Sequence, residues 1–185
     1  PVRETEPLCP VSFYGLSKMT CENYIRLYQK AYGLSYVIFR FANVYGERQG
    51  NGGEGGVVSV FARQLAEGKS PTVYGNGQQT RDFIYAGDIA NGIRKALFSK
   101  TANITCNLST GREVTVKDAA DRLLRLSGLS KPICYAAARE GDIFRSALCS
   151  KMAGKYLGWA SETDWQKGLE RTYSYFEKEY RRERD

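Results

Sequence analysis

Apolar residues recur at two periods along this chain, and the alternation between them outlines its elements. From Ser17 to Tyr32 they fall at Met19, Tyr24, Ile25, Leu27 and Tyr28, a one-sided helical spacing that Gly33 should stop. Tyr36 to Phe41 is a β-rich run with little polar alternation, as in a buried parallel strand. Val57 to Glu67 reads as a short helix ended by Gly68, and Thr72 to Tyr74 and Asp82 to Tyr85 as brief strands around a turn at Gly75 to Gly77. Asp88 is expected to cap a helix reaching about Phe98. Ile104 to Leu108 is strand-like and leads into a turn at Ser109 to Gly111. Val116 to Leu126 is an amphipathic helix, and Pro132 to Tyr135 a further strand. Ser150 is expected to cap a helix ending near Gly158, and Thr163 to start the last one. Residues 1–13 hold three of the five prolines and read as extended loop, and Asn43 to Gly56 reads as a glycine-rich loop.

Strand and helix alternate, so the fold class is α/β. A dinucleotide-binding sheet should open with a strand, a Gly-x-Gly-x-x-Gly turn and a helix. No such unit is present. The Gly50 to Gly56 run follows a long loop rather than a strand, and reads as a flexible loop rather than a phosphate cradle.

Composition narrows the chemistry. At 185 residues there is room for one domain or two small interleaved lobes. Histidine is absent, which excludes Ser-His-Asp and Cys-His catalysis and most zinc enzymes. Proton chemistry then falls to Tyr, Lys, Asp, Glu or Cys, and thirteen tyrosines make the phenol the obvious candidate. The five cysteines are scattered with no Cys-x-x-Cys pair, so free thiols are expected and no metal site. With no leader-like start and no membrane-spanning apolar run, a cytoplasmic protein is expected, with no membrane partner. The net charge of +7 suits anionic ligands, but its dispersal argues against nucleic acid.

Within this frame the informative stretch is Tyr14 to Lys18. Four residues apart on a helix, a phenol and an ammonium share one face. A cation one turn away favours the phenolate, so the pair can take a proton and give it back near neutral pH.

Several blocks in order resemble a family: Ser12 to Lys18 (SFYGLSK), Arg40 to Gln49 (RFANVYGERQ), Gly75 to Tyr85 (GNGQQTRDFIY), Asn107 to Gly111 (NLSTG), Arg139 to Asp142 (REGD) and Lys151 to Trp159 (KMAGKYLGW). Together they resemble the extended short-chain dehydrogenase/reductases, in particular NAD-dependent nucleotide-sugar epimerases and dehydratases, with UDP-glucose 4-epimerases the nearest in look. The resemblance implies the C-terminal part of a Rossmann-type parallel sheet plus a smaller α/β substrate lobe. Residues 1–41 and 83–110 would belong to the NAD-binding sheet, and residues 42–82 and 111–185 to the nucleotide-sugar lobe. It also implies that the glycine-rich NAD turn, and a Ser or Thr hydrogen-bonded to the tyrosine, precede these residues in a longer chain. The 185 residues alone are therefore expected to be inactive.

The resemblance assigns roles to residues. Tyr14 is the base that takes the sugar 4-hydroxyl proton while hydride passes to NAD, and Lys18 holds the nicotinamide ribose. Phe41 also lies against the cofactor. Asn43, Arg81 and Arg139 contact the diphosphate of a UDP-sugar, Asp142 the ribose hydroxyls, and Val73 and Tyr74 border the uracil. Ser146, small where a tyrosine would crowd the pocket, implies room for N-acetylated sugars. A homodimer packed through the Tyr14 to Tyr32 helix is implied as well.

Overall fold

The computed structural model describes residues 1–50, 55–182 and 184. The centre of the glycine run, residues 51–54, lies outside the described residues, so its reading as a flexible loop is left aside. In chain order the elements are α1 (Phe13–Tyr32), β1 (Val37–Phe41), β2 (Asn43–Tyr45), α2 (Val57–Ala66), β3 (Thr72–Tyr74), β4 (Thr80–Arg81), β5 (Phe83–Tyr85), α3 (Ala86–Leu97), β6 (Ile104–Leu108), β7 (Val114–Thr115), α4 (Val116–Ser127), β8 (Cys134–Ala136), α5 (Lys151–Leu157) and α6 (Trp165–Arg182).

Helix α1 begins four residues before the apolar periodicity suggests, because Ser12 Oγ accepts the Gly15 N–H at 3.1 Å. That side-chain cap puts Tyr14 inside the first turn. The far end closes on Gly33 at φ 69°, a left-handed position suited to glycine, whose N–H bonds the Gln29 carbonyl.

Three strand pairs are parallel: β1 with β6, β2 with β5, and β3 with β8. The short pair β4–β7 is antiparallel. The fold is thus α/β, as the alternation predicted. Residues 43–45, read from sequence as loop, are a strand. Three residues carry too little pattern to announce themselves, and here the parallel partner Phe83–Tyr85 imposes the extended form. Chain direction carries β1 into β2, but the partner changes between them. The Ala42 N–H donates to the Leu108 carbonyl at 3.0 Å, and the next N–H, of Asn43, donates to the Asp82 carbonyl at 2.8 Å. The sheet therefore forks at Ala42, leaving a crevice where Asn43 begins.

Two apolar cores lie on opposite faces of β5, as a period of two requires. Phe83 and Tyr85 point to the larger one, with Tyr45, Phe61, Leu65, Leu123, Leu169 and Phe176 drawn from β2, α2, α4 and α6. Ile84 points to the smaller, with Ile89, Cys106, Leu108, Leu157 and Trp159. Burial pushes the Cys106 thiol up to about 11, which leaves it an inert core group. Helix α6 approaches β2 so closely that a Cβ on Gly168 would overlap the Tyr45 hydroxyl.

Three capping expectations need correction. Asp88 lies within the first turn of α3, and the residue flanking that helix is Tyr85. The Asp88 carboxylate instead accepts the Thr163 N–H at 3.1 Å and its hydroxyl at 3.0 Å, while the Asp88 carbonyl accepts Trp159 Nε1 at 2.9 Å. It therefore ties α3 to the approach of α6. Thr163 is drawn into that bond, and α6 starts at Trp165, with Asp164 Oδ1 accepting the N–H groups of Gln166 and Lys167 at 3.0 and 3.2 Å. Ser150 flanks α5 but makes no side-chain cap.

Candidate active site

The crevice at Ala42 is also where α1 presents its first turn. Tyr14, Lys18, Phe41, Asn43, Gln49 and Val57 line one cavity of about 820 Å³. Ligands in α/β sheets gather outside the carboxyl ends of strands where neighbours part, and Asn43 stands at such a point. Lys18 Nζ lies 5.1 Å from the centre of the Tyr14 ring, the juxtaposition that the four-residue spacing predicted. The Tyr14 side is open, with 57% of the residue exposed. Among the described residues, the Tyr14 hydroxyl, the Lys18 ammonium and the Asn43 amide have no hydrogen-bond or ion-pair partner, so all three are uncommitted.

Gln49, which the sequence reading did not single out, lines the same cavity. Its Oε1 is buried without a partner, while Nε2 reaches the Val44 carbonyl at 3.4 Å. It belongs to the RFANVYGERQ block, but nothing in the block announces a buried amide.

One turn below Lys18 is Glu22, the one buried residue of α1 and only 9% exposed. Its Oε1 accepts Arg40 Nε at 2.8 Å, and its Oε2 accepts Arg40 Nη2 and Arg26 Nη2, each at 2.8 Å. Arg40 also donates to the Glu4 carbonyl at 3.1 Å, and Arg26 to Thr105 Oγ1 at 3.2 Å. The Arg40 guanidinium, outweighing the opposing effect of burial, holds the Glu22 carboxyl below the usual carboxylate range.

A second group forms where β3 and β4 meet the 139–144 loop. Arg81 donates to the Asp142 carboxylate and to the carbonyls of Thr80 and Ile143, at 2.7 and 2.5 Å to the latter two. The Arg139 guanidinium lies over the Tyr74 ring, 4.1 Å from its centre. Tyr74, Arg81, Arg139 and Asp142 are thus gathered locally. The Val73 side chain is fully buried in the larger core. Ser146 is half-buried beside the buried Ala147.

Arg81 and Asp82 part company. Buried Asp82 accepts the Thr110 N–H and hydroxyl at 3.0 and 2.6 Å, the Gly111 N–H at 3.0 Å and the Leu148 N–H at 3.2 Å. Two distant loops are pinned to β5 through one carboxylate. Tyr85 belongs to the core: its hydroxyl donates to both Glu47 oxygens at 2.8 Å, and burial, then that bond, raises the phenol above its ordinary range.

Comparison with known proteins places these residues in context. Residues 1–108 match the NAD dependent epimerase/dehydratase family. A Methanocaldococcus jannaschii protein provisionally named UDP-glucose 4-epimerase is 42% identical over 175 residues, covering 95% of this chain and 56% of its own. The crystal structure of Thermotoga maritima UDP-glucose 4-epimerase with UDP-glucose superposes at a TM-score of 0.93 with 35% identity, over 97% of this chain and 58% of that one. Thermus thermophilus UDP-glucose 4-epimerase, in complex with NAD, superposes at 0.84 with 34% identity, over 94% of this chain and 56% of that one. UDP-glucuronic acid decarboxylases and a dTDP-glucose 4,6-dehydratase are also similar, at 31% identity and below. The chain spans a little over half the length of the relatives it matches.

The residues present fit one end of NAD. An unpartnered ammonium and hydroxyl at the mouth of the cavity suit the nicotinamide ribose. The two direct strand–helix joints, β5–α3 and β7–α4, carry no Gly-x-Gly-x-x-Gly turn for the pyrophosphate.

Proposed function

This chain belongs to the NAD dependent epimerase/dehydratase family, and from that premise we propose that it supplies the base and the nucleotide-sugar contacts of a UDP-sugar 4-epimerase. The observation that carries the reading is the convergence of Tyr14, Lys18 and Asn43, all uncommitted, on one cavity at the fork of the sheet. Tyr14 takes the proton of the sugar 4-hydroxyl as the C4 hydrogen leaves. It returns that proton after the 4-keto sugar has turned its other face, which inverts the centre. Bound NAD supplies the hydride acceptor and donor. Lys18 and Phe41 hold the nicotinamide end, with the Lys18 ammonium beside the Tyr14 ring.

The nucleotide half of the substrate is assigned to Asn43, Arg81 and Arg139 at the diphosphate, Asp142 at the ribose, and Tyr74 with the Val73 backbone at uracil. Two guanidinium forks suit phosphate oxygens. Arg81 exchanges the Asp142 carboxylate for phosphate when the ligand enters, which frees Asp142 for the ribose hydroxyls. Ser146 leaves room for N-acetylated sugars. Residues 1–41 and 83–110 form one lobe and residues 42–82 and 111–185 the other, and a homodimer packs through α1. The 185 residues alone bind UDP-sugar weakly and turn none over.

Epimerisation of UDP-glucose and UDP-N-acetylglucosamine by the longer, NAD-loaded protein is the test. Tyr14→Phe should lower kcat by about three orders of magnitude or more while UDP affinity stays unchanged. Retention of wild-type turnover in that variant overturns the assignment. Formation of a dehydrated or decarboxylated product places the chain with the dehydratases or decarboxylases instead.

A further inference from the structure

Helix α1 carries the proposed base, and within this chain a buried carboxylate ties it to the sheet. Its apolar residues are largely uncovered: Tyr24, Leu27, Tyr28 and Tyr32 are all more than half exposed. Of its twenty residues Glu22 alone is buried. That carboxylate is gripped from below by the Arg40 fork, on the strand that runs on to Asn43, and from the side by Arg26, which reaches Thr105 on β6. A bidentate Arg–carboxylate pair fixes direction as well as distance, which an apolar contact does not. Glu22 follows Lys18 by one helical turn and Tyr14 by two, so the fork sets both the height and the rotation of these residues above the sheet. Tyr14, Lys18, Glu22, Arg40, Phe41 and Asn43 all border the same cavity.

We infer that Glu22 and Arg40 are a positioning pair, which sets the Tyr14 hydroxyl and the Lys18 ammonium against the site at Asn43. Neither residue touches the reacting atoms; each acts through the placement of α1. Removing either partner strands a charge in a partly buried place and lets α1 shift on the sheet. The inference rests on the reading of Tyr14 as the base, and a displacement of about 1 Å at a reacting group is enough to cost roughly a hundredfold in rate.

Two measurements test it. Hydrogen exchange on the longer, NAD-loaded protein compares the amides of α1 with those of α4. Glu22→Gln should speed exchange in α1 by about tenfold or more and leave α4 unchanged. In the NAD-loaded protein Glu22→Gln should lower kcat by about a hundredfold with KM for UDP-sugar within about twofold. Arg40→Lys, which keeps the charge but loses the fork, should give a smaller change of the same kind. The reversed pair Glu22→Arg with Arg40→Glu should recover part of both. An equal rise in α1 and α4 exchange means general support of the fold, and overturns the proposal. So does wild-type kcat in Glu22→Gln when Tyr14→Phe is inactive. If Tyr14→Phe itself is fully active, the reading of the base fails, while the exchange result still decides whether Glu22 anchors α1.

Discussion

Helices α1 and α4 solve the same problem in opposite ways. Helix α4 buries Val116, Ala119, Ala120 and Leu123 against α2 and α6. Helix α1, longer and with the proposed base in its first turn, buries a carboxylate and leaves its aromatic residues uncovered within this chain. Apolar packing is non-directional, whereas a forked ion pair is directional and yields to a single gained proton or lost charge. On the proposed reading, the core region holds the nucleotide-sugar elements in place and the ion pair positions the base.

The contrast breaks most visibly in the larger core. Phe61→Ala should lower unfolding free energy by about 3–5 kcal/mol, whereas Tyr28→Ala, half exposed on α1, should stay within about 0.5 kcal/mol. Urea denaturation followed by circular dichroism reads both, and equal losses would erase the distinction.

Asp82 lies between the two extremes, a buried carboxylate used for packing loops. Asp82→Ala leaves the Thr110, Gly111 and Leu148 donors without their acceptor and should cost about 3 kcal/mol. A separate UDP titration of this variant should then show weaker binding, since the 139–144 loop lies just before Leu148. Unaltered stability would mean that water replaces the carboxylate.

Acid should separate the two helices. Glu22 is held below its ordinary carboxylate value, with Arg40, Arg26 and Glu4 around it. Its contribution is complete above about pH 4.3 and is lost as pH falls through the lowered value. Amide exchange in α1, corrected for intrinsic pH dependence, should therefore accelerate below about pH 4 while α4 stays protected. Simultaneous loosening of both helices would mean that other carboxylates dominate.

The smallest effect is expected at the surface. Glu113 is held down to about 2 by Arg145, and then by Thr80, but the ion pair is solvent-exposed. Solvent screens such pairs, so Arg145→Ala should leave the denaturation midpoint unmoved.

The proximity of Tyr14 and Lys18 was legible because it is local: both lie on one helix, where sequence distance fixes spatial distance. What escaped the sequence were groups whose role depends on a distant partner. Nothing in the local sequence marks Glu22 as a buried acid until Arg40 is seen beneath it, or Asp82 as an acceptor until Thr110, Gly111 and Leu148 close on it. Asp88 has the form of a helix cap, but its hydrogen bonds go to Thr163, seventy-five residues on.

The sequence by itself determined the α/β class, the order of helices and strands, and the presence of a phenol and an ammonium one helical turn apart. Periodicity and spacing are properties of the chain within a few turns, and these follow from them. Only the tertiary structure decided that the sheet forks at Ala42, that α1 hangs on a carboxylate, and that Arg81 is held by Asp142. Each of these depends on which distant groups come within hydrogen-bond reach once the two cores have closed, and no local pattern encodes that.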